Sequence, residues 1–485
     1  MVLIDGPRSA TWPELLRWSS TLAAHWSDRV DPGERVAIDG ANSLDHLLAE
    51  LACWQLGAIA VPLPAGLAAD QRQRLLAEVE PVLIAHQVPE AFSATPSAAV
   101  LTATVRAVQP EDPCLLLFTS GSSGTPRGVL LSHDNLCSQQ AAFAMHWPDI
   151  GPGDRLAAYL PWHHSFGALA ERLWALCRGA TLTVVPGAGR DRAALLATLL
   201  HVRPTVFMSV PKIHRLVTDT AGSKEAAWWS ELRWAFTAGA ALSEREAAFY
   251  QTHGIMLYEG WGLTECSPSA TLTTPDATET APGTVGHPIA GTSVGVAPDG
   301  RIYVSGPGVM LGYWRRPAAT AQVLCGIAGL GGIAGLDATM LDTGDLGEWT
   351  AAGLRLTGRA DHTIKLANGE KIHLGEMARA LEAQPGIRHA VVFSPDGDHL
   401  QAVVSGPHSS ASASAVVAAI NAAEPLPWRR ITRVFRLGCE PTVGNGLLTP
   451  SHKIARAAWL AAAAAADDGD SAMPLTAHIH EQAHR

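Results

Sequence analysis

The amino-acid sequence predicts an α/β fold in which sheets of mainly parallel strands are covered by helices. Residues 12–110 alternate helical and strand-like patterns, an order typical of parallel strands joined by helices. The apolar run at 114–118 predicts a buried strand, and it opens into a loop of Gly, Ser and Thr. A chain of 485 residues, 47% apolar and 16% charged, has enough material for packed cores.

The first elements follow from hydrophobic periodicity. A helix is predicted to begin at Trp12, and a short strand follows at residues 35–39. Residues 43–56 form an amphipathic helical pattern, with a second strand predicted at 58–63 and a further helix at 70–79. This order predicts a mainly parallel sheet with covered faces.

Composition and charge narrow the classes of function. A formal charge of −10 and a pI near 6.0 argue against the basic face of a nucleic-acid-binding protein. No apolar run approaches the roughly 20 residues that span a bilayer, and charged and turn residues come too early for a signal peptide. Seven scattered cysteines indicate reduced, mostly buried thiols rather than a disulfide or zinc framework. We therefore expect a soluble cytoplasmic enzyme without a nucleic-acid partner.

The most informative stretch is Phe-Thr-Ser-Gly-Ser-Ser-Gly-Thr-Pro-Arg-Gly-Val at residues 118–129. Such a loop can expose successive backbone N–H groups that suit phosphate oxygens, and Arg127 adds a positive charge. It is not a Walker loop, because no Gly-Lys-Ser/Thr closes it. A Ser/Gly-rich linker is the alternative, but the preceding buried strand and Arg127 favour a phosphate site. Ser132 or Asp134 is expected to cap a following helix. The candidate phosphate-binding residues are Thr119, Ser120, Gly121, Ser122, Ser123, Gly124, Thr125 and Arg127.

A second motif, Leu-Tyr-Glu-Gly-Trp-Gly-Leu-Thr-Glu at residues 257–265, places an aromatic residue between glycines. Because glycine allows close approach, Trp261 can offer its face to adenine. Thr264 can donate to a phosphate oxygen, and Glu265 supplies a hard oxygen ligand for Mg²⁺. The alternative is a packing segment with Trp261 in the core. The phosphate-type loop upstream favours the functional interpretation.

In their residues and their order, these motifs resemble those of the adenylate-forming superfamily, which includes acyl-CoA synthetases and nonribosomal adenylation domains. The resemblance covers essentially the whole chain. It implies a large N-terminal adenylating domain of layered sheets and helices at residues 1–358. A small, mobile α+β domain is implied at 359–466, and a disordered tail is expected at 467–485.

The resemblance also implies roles that local patterns alone do not establish. Asp345 is implied to accept both ribose hydroxyl protons, Arg359 to lie near the ribose, and His164 to lie beside the bound carboxylate. By themselves, turn aspartates are usually solvated caps, and adjacent histidines are more often an ordinary loop pair. Adenine and the acyl group are implied to lie at strand ends, near Gly239, Ala240, Glu259, Gly260 and Trp261.

In the small domain, the resemblance implies that Lys453 is catalytic and bridges the carboxylate and the α-phosphate. Asp361 is implied to be the hinge. Gly369, in an Asn-Gly hairpin turn, is implied to face CoA in a second conformation. Three residues depart from the family pattern, which has Lys, an acidic residue and Gly at these positions: Arg127, Ala378 and His452.

The activity implied by the resemblance is ATP-dependent activation of a small carboxylic acid. An acyl-adenylate forms with release of pyrophosphate, and the acyl group then passes to the CoA thiol. The expected enzyme is an AMP-forming acid–thiol ligase that uses ATP, Mg²⁺ and CoA, with Glu265 as the metal ligand. The Leu-Thr-Pro…Lys form at 448–453 resembles the fatty-acid-activating branch. Two alternatives stay open: transfer to a carrier-protein thiol or a nitrogen nucleophile, and an inactive nucleotide-binding homologue.

Overall fold

The computed structural model describes residues 2–86, 105–120, 126–189, 191–220, 227–239, 244–273, 284–326, 339–360, 363–366, 371–396, 399–406, 410–449 and 454–467. Within these residues the chain forms several sheets with interleaved helices, which confirms the predicted mixed α/β class.

The strands, in chain order, are β1 (Val2–Asp5), β2 (Arg8–Thr11), β3 (Arg35–Ile38), β4 (Ile59–Pro62), β5 (Leu83–Ala85), β6 (Pro113–Ser120), β7 (Pro126–Ser132), β8 (Arg155–Ala158), β9 (Thr181–Val184), β10 (Val206–Ser209), β11 (Trp234–Ala238), β12 (Met256–Trp261), β13 (Thr271–Leu272), β14 (His287–Pro288), β15 (Ser293–Val296), β16 (Arg301–Ser305), β17 (Gly312–Tyr313), β18 (Leu324–Gly326), β19 (Thr339–Thr350), β20 (Gly353–Arg359), β21 (Thr363–Lys365), β22 (Lys371–His373), β23 (His389–Phe393), β24 (Leu400–Ser405) and β25 (Ile431–Arg436).

The α-helices are α1 (Trp12–Trp26), α2 (Leu44–Gln55), α3 (Ala69–Val79), α4 (His133–His146), α5 (Trp174–Arg178), α6 (Arg192–Val202), α7 (Pro211–Thr220), α8 (Glu244–Thr252), α9 (Pro317–Val323), α10 (Leu374–Glu382), α11 (Ser410–Ala423) and α12 (Arg456–Asp467). A π-helix covers Phe166–Leu173.

The sheet that carries the Gly/Ser-rich loop has the order β17-β7-β6-β4-β3-β5. Its strands β3 to β6 are parallel, as predicted from the alternation of strands and helices. Strand β7 returns antiparallel to β6, with Thr119 opposite Arg127. Thr119 and Arg127, near the two ends of the predicted phosphate loop, therefore lie on paired strands, and the helix α4 begins only after β7.

Helix α4 begins where the sequence predicts it, and Ser132 rather than Asp134 is its N-cap. The Ser132 hydroxyl accepts from Asn135 N at 3.1 Å, and the Asn135 side chain accepts from Ser132 N at 2.9 Å. This reciprocal pair satisfies two backbone donors at the start of the helix. The chain after the loop hairpin therefore leaves β7 in a defined direction.

A second sheet, in the order β10-β11-β12-β13-β14, carries the predicted adenine-side residues. Strands β10, β11 and β12 are parallel, so their carboxyl ends meet at one edge of the sheet. Further sheets have the orders β2-β1-β9-β8 and β15-β16-β19-β18, with β20 paired to β19. The remaining strands form the β21/β22 hairpin and the sheet β23-β24-β25.

Four hydrophobic clusters lie among the described residues. The largest draws on residues 3–354, and at its centre Trp147 stacks on Trp234 with 4.9 Å between ring centroids. Two other clusters draw on residues 366–431 and 391–463. The C-terminal strands and helices therefore bury apolar side chains of their own.

All seven cysteines are free thiols, as expected. Only Cys53, Cys114 and Cys266 are buried, so the prediction of mostly buried thiols is wrong. Cys137 and Cys177 are exposed because they lie on solvent-facing sides of α4 and α5. None of the helices in the described part of the chain has the length and apolar character needed to cross a membrane.

Candidate functional site

Part of the predicted site falls within the described residues. The predicted residues that the structure describes are Thr119, Ser120, Arg127, His164, Gly239, Glu259, Gly260, Trp261, Thr264, Glu265, Asp345 and Arg359. Those that lie outside the described residues are Gly121, Ser122, Ser123, Gly124, Thr125, Ala240, Asp361, Gly369 and Lys453.

The carboxyl ends of β11 and β12 lie side by side. Ala238 is the register partner of Gly260, so Gly239 comes directly after the paired region. Gly239 has φ +89, a left-handed conformation that favours glycine, and a Cβ added there would meet no atom of the described residues within 4 Å. Ligands of open α/β sheets collect at such strand ends.

Asp345 is held from two sides. Strands β19 and β20 pair it with Arg359, whose Nη1 donates to Oδ1 at 3.0 Å. The indole Nε1 of Trp261 donates to Oδ2 at 2.8 Å, and Asp345 is only 8% exposed. A carboxylate fixed by two donors has a defined direction for its remaining lone pairs, which suits the recognition of neighbouring hydroxyl groups.

Thr264 contacts the segment that carries His164. The hydroxyl groups of Ser165 and Thr264 lie 2.9 Å apart. His164 precedes Ser165 directly, and its backbone carbonyl accepts from Ala168 N at 2.9 Å at the start of the π-helix. The second motif and the predicted carboxylate-side histidine are therefore brought together, although Ser165 and Thr264 are 99 positions apart in the chain.

The backbone around His164 is fixed by α2 and the loop before it. Asn42 donates to Leu160 O at 2.7 Å and accepts from Trp162 N at 2.9 Å. A Cβ added to Gly167 would lie 2.4 Å from Pro161 O, so glycine is required where the π-helix approaches this turn. These contacts hold the turn in one conformation.

A buried ion pair also supports the turn that carries His164. Arg172 donates to both carboxylate oxygens of Glu50, and both side chains are fully buried. The Arg172 guanidinium lies over the Trp162 ring, 4.9 Å from its centroid. Burial raises the pKa of Glu50, but the Arg172 charge and the contact with His46 outweigh it, so the pKa is lowered. The carboxylate is therefore ionised and paired.

Glu265 is aligned by a tyrosine from strand β17. Tyr313 donates its phenol O–H to Glu265 Oε1 at 2.8 Å, and the Arg127 guanidinium lies 5.4 Å from the Tyr313 ring centroid. No cluster of three or more His, Cys, Asp or Glu that could hold a metal occurs within the described ranges. One oriented carboxylate fits Mg²⁺ when substrate phosphates supply further ligands, as is usual for this ion.

Several of these residues were not anticipated from the sequence. Ser165 directly follows the predicted residue His164, so the position of His164 in the sequence could have indicated it. Tyr313 lies in the segment 300–314, whose pattern indicates only β structure. Asn42, Arg172 and Tyr313 act through contacts with residues more than 45 positions away, which local patterns do not reveal.

Comparison with known proteins identifies the family. The family described as AMP-binding enzyme matches residues 1–314, well over half of the chain. The chain belongs to the AMP-binding enzyme family.

Relatives of this AMP-binding enzyme include proteins that use different acids and acceptors. Long-chain-fatty-acid–CoA ligase FadD15 of Mycobacterium bovis is 27% identical over 459 residues, covering 78% of this chain and 73% of that protein. Feruloyl-CoA synthase of an Amycolatopsis species is 29% identical over 418 residues, covering 81% and 82%. L-proline–[L-prolyl-carrier protein] ligase of Streptomyces coelicolor is 29% identical over 417 residues, covering 74% and 75%.

A solved structure shares the fold. ATP-bound MatB from Rhodopseudomonas palustris superposes with a TM-score of 0.78 at 21% identity, and the match covers 94% of each chain. Together the comparisons confirm two expectations, the adenylate-forming family and an AMP-forming acid–thiol ligase as the class of enzyme.

Proposed function

We propose that this AMP-binding enzyme activates a carboxylic acid with ATP as an acyl-adenylate and then transfers the acyl group to the thiol of CoA. One observation carries the proposal. Three side chains of a single segment, residues 261–265, lead to three different predicted parts of the site, one by direct contact and two through a neighbouring residue. Trp261 reaches Asp345, Thr264 reaches Ser165 beside His164, and Glu265 reaches Tyr313 beneath Arg127.

The nucleoside of ATP would lie at the carboxyl ends of β11 and β12. Asp345 would accept hydrogen bonds from the ribose hydroxyl groups, with its direction set by Trp261 and Arg359. Adenine and the acyl end of the substrate would lie beside Gly239, at these strand ends. The α-phosphate would then lie near the turn at 261–265.

The phosphates of ATP would lie between the hairpin loop and that turn. The loop 119–128, with the charge of Arg127, would hold the pyrophosphate side. Thr264 would donate to a phosphate oxygen, and Glu265 would hold Mg²⁺. The bound Mg²⁺ supplies charge neutralisation on the phosphates. Positioning and charge neutralisation dominate such phosphate displacements, so preorganised donors account for most of the expected catalysis.

The substrate carboxylate would attack the α-phosphorus, so that a carboxylate O–P bond forms while the bond to pyrophosphate breaks. His164 would lie beside the carboxylate, in the turn that Asn42 and Arg172 support. Lys453 would bridge the carboxylate and α-phosphate oxygens as negative charge builds. This role of Lys453 rests on its match to the family's lysine motif.

The thioester step requires the adenylate to become accessible to CoA. We propose a division into residues 1–358 and 359–466, with a pivot near Asp361. The separate apolar clusters at 366–431 and 391–463 support a C-terminal unit with a core of its own. The β21/β22 pairing supports a hairpin around Gly369, which would face CoA after the pivot. Domain gating of this kind often limits turnover.

A second candidate acceptor is the thiol of a carrier protein. This candidate is supported by the relative from Streptomyces coelicolor, because the name of that protein specifies a carrier-protein acceptor. Both acceptors attack the acyl carbon of the same adenylate and release AMP. They differ only in the last step, so one assay with both acceptors separates them.

The test is carboxylate-dependent pyrophosphate release with short, long and aromatic acids, each with and without CoA. Wild type, Lys453→Ala and Lys212→Ala should be compared, because Lys212 is an exposed lysine on α7. We expect acid-dependent release and an acyl-CoA product in wild type and Lys212→Ala. We expect a loss of at least about 100-fold in Lys453→Ala, the typical order for removing one donor to developing charge.

Other outcomes would reject parts of the proposal. Pyrophosphate release without thioester formation from CoA, but with acylation of a phosphopantetheinylated carrier protein, would favour the second acceptor. Equal activity in Lys453→Ala and Lys212→Ala would contradict the role of Lys453. Nucleotide binding without pyrophosphate release from any acid would favour an inactive homologue.

A further inference from the structure

Residues 306–314, called here the bridging segment, join the loop hairpin to the turn at 261–265. On the hairpin side, β17 pairs antiparallel with β7. Leu311 N donates to Leu130 O at 3.0 Å, and Trp314 N donates to Gly128 O at 2.7 Å. The bridging segment is thus an extra strand at the edge of the hairpin that ends in the Gly/Ser-rich loop.

The same segment also binds the turn. Met310 N donates to Glu265 O at 3.0 Å, and the Ser267 hydroxyl donates to Gly308 O at 2.8 Å. Asn135, at the start of α4, donates to Pro307 O at 2.7 Å and to Val309 O at 2.9 Å. The backbone of the bridging segment is therefore held by the turn, by the hairpin and by the helix that follows the hairpin.

Tyr313 is the side chain through which this segment reaches the site. It is only 9% exposed, and its phenol donates to Glu265 Oε1 at 2.8 Å. Tyr313 lies opposite Val129, so it is diagonal to Arg127 on the neighbouring strand. The Arg127 guanidinium packs over its ring at 5.4 Å, within cation–π range.

The phenol O–H of Tyr313 is the donor in this contact, and the Glu265 carboxylate is the acceptor. A hydrogen bond to an ionised acceptor is among the stronger ones in proteins, so it restricts the rotation of the Glu265 carboxylate.

We propose that Tyr313 is a positioning residue that sets the Glu265 carboxylate and the Arg127 guanidinium at a fixed separation across the phosphates of bound ATP. The inference rests on the proposed function, since it uses Glu265 as the metal ligand and Arg127 as a phosphate contact. Tyr313 itself does not touch the reacting atoms. Its hydroxyl directs one group, and its ring supports the other.

Two variants test the two parts of this role separately, the hydroxyl that directs Glu265 and the ring that supports Arg127. Tyr313→Phe removes the hydroxyl and keeps the ring under Arg127. Tyr313→Leu removes both. Tyr303→Phe is a matched control, because Tyr303 is another tyrosine with little exposed surface, and it faces Asp342 on the neighbouring strand instead of Glu265.

The measurement is equilibrium binding of α,β-methylene-ATP to the full chain over a range of Mg²⁺ concentrations and without Mg²⁺, which requires no turnover. We expect Tyr313→Phe to need about tenfold more Mg²⁺ for half-maximal binding, with metal-free binding unchanged. Tyr313→Leu should also weaken metal-free binding, since Arg127 loses its aromatic support. Tyr303→Phe should match wild type.

A double mutant supplies the second readout. In a Glu265→Gln background, Tyr313→Phe should cause no further shift in the Mg²⁺ titration, because the group that it directs is already lost. Equal Mg²⁺ dependence in Tyr313→Phe, Tyr303→Phe and wild type would overturn the proposal. The proposal would also be overturned if Tyr313→Phe shifted the Mg²⁺ titration as much in the Glu265→Gln background as in wild type. Wild type that binds no nucleotide at any Mg²⁺ concentration would overturn the proposed function itself, and this inference with it.

Discussion

Trp261 donates its indole N–H to the carboxylate of Asp345 at 2.8 Å, and only 6% of Trp261 and 8% of Asp345 are exposed. The sequence suggested a stacking surface for adenine at Trp261. The hydrogen bond adds a second role, because the indole edge directs the residue proposed to bind the ribose. Arg359 occupies the other carboxylate oxygen, so the orientation of Asp345 depends on both donors.

We predict that Trp261→Phe weakens AMP binding about tenfold, because Phe keeps an aromatic face but cannot donate to the buried Asp345. Isothermal titration with AMP measures the loss. Titration with 3′-deoxy-AMP tests its cause: wild type should discriminate against the deoxynucleotide, and Trp261→Phe should discriminate less. If the variant binds AMP as tightly as wild type, stacking alone accounts for Trp261, and the directing role is refuted.

Replacing only one member of the Glu50–Arg172 ion pair should destabilise the folded protein. We predict that Arg172→Met lowers the free energy of unfolding by about 3–5 kcal/mol, since it leaves the fully buried Glu50 without its charged partner. Urea unfolding followed by tryptophan fluorescence measures the change. Activity should fall as well, because Trp162 and the turn before His164 lose the support of the guanidinium.

The double variant Glu50→Leu/Arg172→Met tests the reason for that loss. Removing both charges leaves no unpaired buried ion, so we expect the double variant to be more stable than Arg172→Met alone. Strictly additive destabilisation by the two substitutions would show instead that packing volume, and not the unpaired charge, dominates.

Acid should destabilise the protein partly through His214. This fully buried imidazole lies with Nδ1 2.5 Å from the Tyr250 hydroxyl, and burial lowers its pKa from 6.5 to about 4. Between these two values the unfolded chain binds a proton that the native protein excludes. The free energy of unfolding therefore falls as pH is lowered from 6.5 to 4, by about 3 kcal/mol for the full shift.

Urea unfolding at several pH values between 7 and 4.5 measures this contribution. His214→Gln should be less stable than wild type at pH 7 but should lose less stability on acidification. Tyr250→Phe keeps the buried imidazole and should retain most of the wild-type pH dependence, since burial is the main cause of the pKa shift. An unchanged pH dependence in His214→Gln would contradict the assignment to this residue.

Much of the fold was accessible from local patterns. The apolar run at 114–118, the helix from Trp12 and the capped helix after Ser132 all occur where periodicity and capping predict them. The hairpin between β6 and β7 was not predicted. Its return strand, β7, depends on pairing with β6 and β17. A short apolar run in the sequence does not indicate which strand it will pair with.

The candidate site divides in the same way. The sequence by itself determined the adenylate-forming family and the residues of its motifs, because glycines, hydroxyl groups and charged residues at fixed spacing carry that chemistry within a single stretch. The tertiary structure alone decided that Trp261 holds Asp345, that Ser165 meets Thr264 and that Tyr313 joins Glu265 to Arg127. The physical reason is that a hydrogen bond depends on distances of about 3 Å between atoms, and strand pairing sets those distances for residues far apart in the chain.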